Sequence, residues 1–204
     1  CLTHNYTGTP VVREGRRLFT SGEMGDVRKV VVEYLQDWLM EPLEKEGGKQ
    51  AVWRTDPSQA GAGGALGDIG THAMNLLEYV TGEKVSELCA DASTFLPDRI
   101  LDEDVNILVR LEGGGKGIIT ISQIATGEEN GLRIKAYGSK GGLMWEQENP
   151  NVMQVYRHGE PKGLYTRANG YLGPQALAGG RVPPGHPEGY LEAFANIYRG
   201  AAEA

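Results

Sequence analysis

The chain has 204 residues, 40% hydrophobic and 23% charged, with a formal net charge of −7, a length that buries a substantial core as one large domain or two small ones. The acidic balance and the lack of a clustered basic face argue against a nucleic-acid partner. No apolar stretch approaches the roughly 18 residues of a membrane span, and the run Val30–Val32 is flanked by Arg28, Lys29 and Glu33.

In chain order, Cys1-Leu-Thr-His-Asn5 opens without Met, basic n-region or signal-type apolar segment, so the chain reads as a fragment beginning in a short strand. Pro10 suits the first turn of a helix. Val11, Val12, Gly15, Leu18 and Phe19 follow at helical spacing until Ser21-Gly22. Val27–Tyr34 is β-branched and reads as a strand. Residues 41–64 are polar and glycine-rich and read as a long loop that contains Trp53-Arg54. Leu66, Ile69, Ala73, Leu76, Leu77 and Val80 form one stripe of a helix that stops at Gly82.

From there the period changes to that of strands: Val85–Phe95, Val105–Leu111, Gly117–Ile124, Leu132–Tyr137, Leu143–Glu146 and Val152–Arg157. Turn signals such as Gly113-Gly114-Gly115 separate them, which favours an antiparallel meander. Pro187 then opens a last helix whose Leu191, Phe194, Ala195 and Tyr198 share a face. The expected architecture is α+β, a mostly antiparallel open sheet with helices packed on one face. The other face is left to solvent, substrate or a second subunit. The two cysteines, Cys1 and Cys89, have no metal-type spacing and form no disulfide framework, which points to the reducing cytoplasm.

Gly61-Ala-Gly-Gly-Ala-Leu-Gly-Asp-Ile-Gly-Thr-His72 is the most unusual segment. It is not a dinucleotide loop, because Thr55–Ala60 rather than a buried strand precedes it and Leu66 stands where the third glycine belongs. No other segment supplies that fingerprint, so a Rossmann domain is absent from the sequence. Asp68 and His72, at i and i+4 near a helix start, are expected to project together. A carboxylate beside an imidazole favours its protonated form and orients it for passing a proton to or from an alcohol oxygen. The same residue types also fit a plainer arrangement, with Asp68 as a helix cap and His72 as a satisfied, partly buried histidine.

Gly63-Gly-Ala-Leu-Gly-Asp-Ile-Gly-Thr-His72 resembles the C-terminal-domain signature of the Gfo/Idh/MocA oxidoreductases. The likeness extends through His4-Asn5-Tyr6 with Pro10, Gly22-Glu-Met-Gly25 before a valine-rich strand, Trp53-Arg54, and His186-Pro-Glu-Gly-Tyr-Leu-Glu-Ala-Phe194. The resemblance implies that residues 1–204 form a glucose–fructose oxidoreductase C-terminal-like domain for substrate binding and oligomerisation, with 1–8 the crossover from a missing N-terminal dinucleotide-binding domain. It implies His72 as general acid/base beside Asp68, with a sugar or polyol as substrate and NAD or NADP as cofactor of the full-length enzyme. The family's Glu-Lys-Pro lysine is missing, so the chain is expected to be inactive alone and to hold no cofactor tightly.

Trp53, Arg54 and His186 are the candidate substrate ligands, and Asn5 and Tyr6 the candidates for the cofactor cleft. Each has an alternative. Arg54 suits a surface ion pair, Trp53 the core, His186 a helix N-cap, and Asn5 and Tyr6 a disordered end. Asp102-Glu-Asp104 reads as a solvated turn and no metal is expected. A homo-oligomer through the open sheet face is expected. The competing reading is a non-catalytic binding or dimerisation module derived from the family.

Overall fold

A computed structural model describes residues 1–204. The elements, in order, are α1 (Pro10–Thr20), β1 (Val27–Leu35), α2 (Lys49–Arg54), α3 (Pro57–Ala60), α4 (Thr71–Thr81), β2 (Val85–Ser93), β3 (Asp104–Leu111), β4 (Lys116–Ser122), β5 (Gly131–Gly138), β6 (Gly141–Glu146), β7 (Val152–Arg157), β8 (Gly163–Thr166), α5 (Pro174–Leu177) and α6 (Tyr190–Ala202). The strands form one open sheet of order β2-β3-β4-β1-β5-β6-β7-β8. Every pairing is antiparallel except β1 with β4. The α+β expectation therefore holds, with one parallel pair at the centre.

Alternation sets which face is covered. In β3, Val105, Ile107, Val109 and Leu111 are buried while Asn106, Leu108 and Arg110 are exposed, the period of a strand with one face on a core. Val30, Val32, Ile119, Ile121, Leu132, Ile134, Leu143, Trp145 and Met153 continue that inner face, with Leu18, Leu76, Leu77 and Val80 of α1 and α4 against it. Gly15 lets α1 lie close, since a Cβ there would touch Leu143, Met153 and Val80.

Several expectations are corrected. The opening is a buried 3₁₀ turn, Asn5–Gly8, not a strand. It is ordered because Asn196 Nδ2 donates to Gly8 O at 2.9 Å and α6 packs directly on it. The loop over 41–64 contains α2 and α3, the latter started by Asp56, whose carboxylate accepts from Ser58 N, with Pro57 in its first turn. Strand β8 and the short α5 are additional, too brief to leave a periodic trace. The last helix begins at Tyr190, and its buried residues are Ala193 and Asn196. Of the stripe Leu191, Phe194, Ala195 and Tyr198, Leu191, Ala195 and Tyr198 face outward, Leu191 and Tyr198 being 75% and 56% exposed, while Phe194 is half-buried beside Tyr190. Small residues win here because α6 crosses Gly8 so closely that a Cβ there would collide with the Ala193 carbonyl.

Candidate active site

The glycine-rich signature is held from across the fold by Asp102, in the loop between β2 and β3. Gly64 N donates to Asp102 Oδ1 at 2.7 Å, Leu66 N to Oδ2 at 2.6 Å, and Ala65 N to the Asp102 carbonyl at 2.9 Å. One aspartate thus satisfies three successive N–H groups at a helix start, groups with no partner inside the helix. Gly64 is required because a Cβ would strike the Asp102 carbonyl. The acidic cluster is therefore not a solvated turn. Its neighbour Glu103 is 3% exposed and accepts from Phe95 N, Leu96 N and Arg99.

Leu66–Gly70 forms a π turn leading directly into α4. Such turns carry an extra residue and recur at functional sites, and this one contains Asp68. The wider turn alters the i, i+4 stacking expected of Asp68 and His72. Asp68 Oδ2 instead accepts from Arg54 Nε at 2.9 Å and from Gln123 Nε2 at 2.8 Å. Gln123 is 2% exposed, just past β4. Arg54 also donates to Gln50 Oε1 and lies 4.1 Å from the Trp53 ring centroid.

The His72 side chain makes no hydrogen bond, and its Nδ1 is buried without a partner. Rings enclose it at centroid distances of 5.1 Å (His4), 5.2 Å (Tyr6) and 6.3 Å (Tyr34). Burial pushes its pKa down to about 4, the His4 imidazole adds to this, and Asp68 opposes it. The expected charging of the imidazole by Asp68 is thus overturned, because desolvation outweighs the carboxylate. Behind these rings, Tyr6 and Tyr34 share a hydrogen bond of 2.7 Å, Tyr34 donates to Asn130 Oδ1, and Gln36 Nε2 donates to the same oxygen.

Asp68, His72, Arg54, Asn5 and Tyr6 come together in one open cleft of about 650 Å³, with Tyr34, Gln36, Trp38, Asn130, Tyr190 and Phe194 on its walls. Asn5 and Tyr6 are buried and ordered rather than disordered. Trp53 is neither core nor cleft wall; it is 37% exposed and backs Arg54. His186 lies elsewhere, in an exposed recess with Asn151 and Arg167. It is no N-cap, since α6 starts from Gly189, whose N–H is accepted by Glu192. Gln36, Trp38 and Asn130 escaped sequence reading, although Tyr34, Gln36 and Trp38 continue a period of two past the end of β1. No three His, Cys, Asp or Glu side chains gather in metal-binding geometry.

Comparison with known proteins places this geometry in a family. The model of the GFO/IDH/MocA C-terminal domain matches residues 12–144. An oxidoreductase structure from Sinorhizobium meliloti is 46% identical with a TM-score of 0.85, covering 98% of this chain and 52% of that one. An inositol dehydrogenase homolog from Azotobacter vinelandii, complexed with NADH and myo-inositol, is 31% identical with a TM-score of 0.86, over 96% of this chain and 50% of that one. Levoglucosan dehydrogenase of Pseudarthrobacter phenanthrenivorans is 28% identical over 76% of this chain and 44% of its own length. The chain spans about half the length of the curated relatives it matches.

Proposed function

The chain belongs to the Gfo/Idh/MocA oxidoreductases as their C-terminal domain, and from that premise we propose that it is the substrate half of an NAD(P)-dependent dehydrogenase. The substrate is a sugar, polyol or related carbinol, and the chain is inactive without a dinucleotide-binding fold. Residues 1–204 act as one substrate and oligomerisation domain, with 1–8 the crossover from that fold. One observation carries the reading: Asp68 and His72 open onto the same cleft, whose other polar walls are mainly amides and phenols, with Thr3, Arg54 and Glu129 beside them. Amides beside aromatic rings suit a polyhydroxylated ring, each hydroxyl finding a donor or acceptor.

When bound, a nicotinamide supplies the hydride acceptor or donor for the carbinol carbon. The chain's own residues handle the hydroxyl. Burial keeps His72 neutral at neutral pH, the form a base requires, and Nε2 is the nitrogen left to take the hydroxyl proton, because Nδ1 is enclosed. Asp68 stabilises the resulting charge across the cleft. Its Oδ1 accepts from a second substrate hydroxyl while Arg54 and Gln123 hold Oδ2. Asn5 and Tyr6 line the same cleft and are the residues that would border a nicotinamide there. Trp53 acts by stiffening Arg54. His186 stands apart from the cleft and takes no part in this reading.

The uncovered sheet face is the homo-oligomer surface. Leu108, Ile118, Val31, Lys135, Met144, Gln154 and Leu164 are cross-strand neighbours in one row, with Leu108 60% and Leu164 61% exposed. The same row favours the second reading, a module retained only for dimerisation. No helix is long and apolar enough to cross a membrane, and the exposed free thiols of Cys1 and Cys89 fit a reducing cytoplasm. The test joins residues 1–204 to a dinucleotide-binding domain and measures polyol-dependent NAD(P)H formation. His72→Ala is expected to cut kcat far more than it raises KM. No turnover in the joined protein would leave the dimerisation module standing.

A further inference from the structure

Helix α1 carries a second cavity, remote from the cleft and sharing no residue with it. Arg13, Arg16 and Arg17 line about 390 Å³ that residues 173–176 close on the other side. The one carboxylate there, Glu14, is fully buried and already committed. It accepts from Arg17 Nε at 3.0 Å, Arg17 Nη2 at 2.7 Å and Gly173 N at 2.7 Å. Arg17 Nη1 turns away to Glu23.

Arg13 and Arg16 have no such compensation. Arg16 Nη1 donates to the Tyr79 carbonyl at 2.7 Å, and its guanidinium lies 4.8 Å from the Tyr79 ring centroid. Arg13 reaches only the Asn196 carbonyl, at 3.4 Å, and its Nε is buried and donates to nothing. Burial pushes the Arg13 guanidinium below its ordinary value, Tyr79 opposes this, and Arg199 and Arg181 add repulsion. A buried donor left unpaired is unfavourable, the more so when it is charged. Two guanidiniums on successive turns of one helix, both lining the cavity and neither paired with a carboxylate, in a chain of net charge −7, offer donors suited to an anion.

We propose that this cavity binds a phosphoryl group, carried by a free phosphate ion or a small phosphorylated metabolite, through Arg13 and Arg16. Guanidinium forks match phosphate oxygens in pairs. The cavity volume falls in the range of small-molecule pockets, which leaves room for a metabolite body beyond the phosphoryl group.

The test titrates the chain with inorganic phosphate, glucose 6-phosphate or glucose at constant ionic strength, following arginine Nε–Hε resonances by NMR. Saturable shifts at Arg13 and Arg16 with either phosphate probe, and none with glucose, are the expected result. Tighter saturation by the sugar phosphate identifies the metabolite as the source, and tighter saturation by phosphate identifies the free ion. Arg16→Gln, which leaves the half-buried Arg13 in place, is expected to weaken binding at least tenfold with the amide spectrum otherwise intact, while Lys140→Gln changes nothing. Absence of saturation, equal saturation by glucose, or binding unchanged by Arg16→Gln overturns the proposal.

Discussion

Asp68 and His72 face one cleft without sharing a hydrogen bond. The carboxylate is held through Oδ2 by Arg54 and Gln123, at 2.9 and 2.8 Å, and the imidazole is packed among the rings of His4, Tyr6 and Tyr34. The two groups are therefore positioned by different parts of the fold, Asp68 by α2 and the end of β4, His72 by the opening turn and β1. Substitution at one set of supports should leave the other residue's environment largely in place.

The imidazole sets a pH dependence. His72 has a folded pKa near 4 against an ordinary 6.5, so between those values the unfolded chain binds the extra proton. Stability from this group is fully present above about pH 6.5 and lost as the pH falls through 4, by on the order of 3 kcal/mol at most. His4 is also lowered by burial and adds in the same direction. Urea melts at pH 7 and pH 4.5 should show a smaller difference in His72→Gln than in the unaltered chain. An equal difference would place the proton elsewhere.

The carboxylate's supports are coupled because both donors land on one oxygen. Gln123→Leu removes a buried donor and is expected to cost about 1–2 kcal/mol. Arg54→Ala removes a pair whose side chains are 23% and 25% exposed and is expected to cost about 1 kcal/mol. The double variant should depart from additivity, since each donor compensates for loss of the other. Denaturant midpoints of the four proteins measure this, and strict additivity would show that Asp68 is not held as a unit.

Much of this was legible from residue order. The alternation of Val105, Ile107, Val109 and Leu111 announces a half-covered strand, and Gly82 at φ 75° stops α4 where a left-handed glycine is expected. The cleft was only partly legible. Asp102 meets Gly64 and Leu66 from 38 and 36 positions away, and an acidic run in a loop carries no local mark of such a partner. The outer face of α6 misled because apolar periodicity reports a helix that can bury a stripe, whereas docking on Gly8 selected the small side of that helix.

Asp102 is the next test of that long-range support. Asp102→Ala keeps the backbone carbonyl that serves Ala65 and removes both carboxylate oxygens from Gly64 and Leu66. The expected loss is about 2–3 kcal/mol, a charge-assisted cap being at the high end of such effects. Amide hydrogen exchange should accelerate first at Gly64 and Leu66, before the core strands respond. Uniform acceleration across the sheet would mean that the loop is not the point of release.

The open sheet face yields the last prediction. Leu108 and Leu164 stand at opposite ends of one cross-strand row, 60% and 61% exposed, with Ile118, Val31 and Met144 between them. A largely apolar row on an uncovered sheet face suits a contact surface, and a two-fold interface would set the row against its own copy. Within the row Met144 pairs with Lys135 on one side and Gln154 on the other, so the polar positions there stay close to apolar ones. Leu108→Glu should bury a charge in such a dimer and shift sedimentation toward the monomer at micromolar concentration. The thermal midpoint of the monomer should change little, because Leu108 contacts solvent rather than core. A chain that sediments identically before and after the change would assign the row to solvent alone.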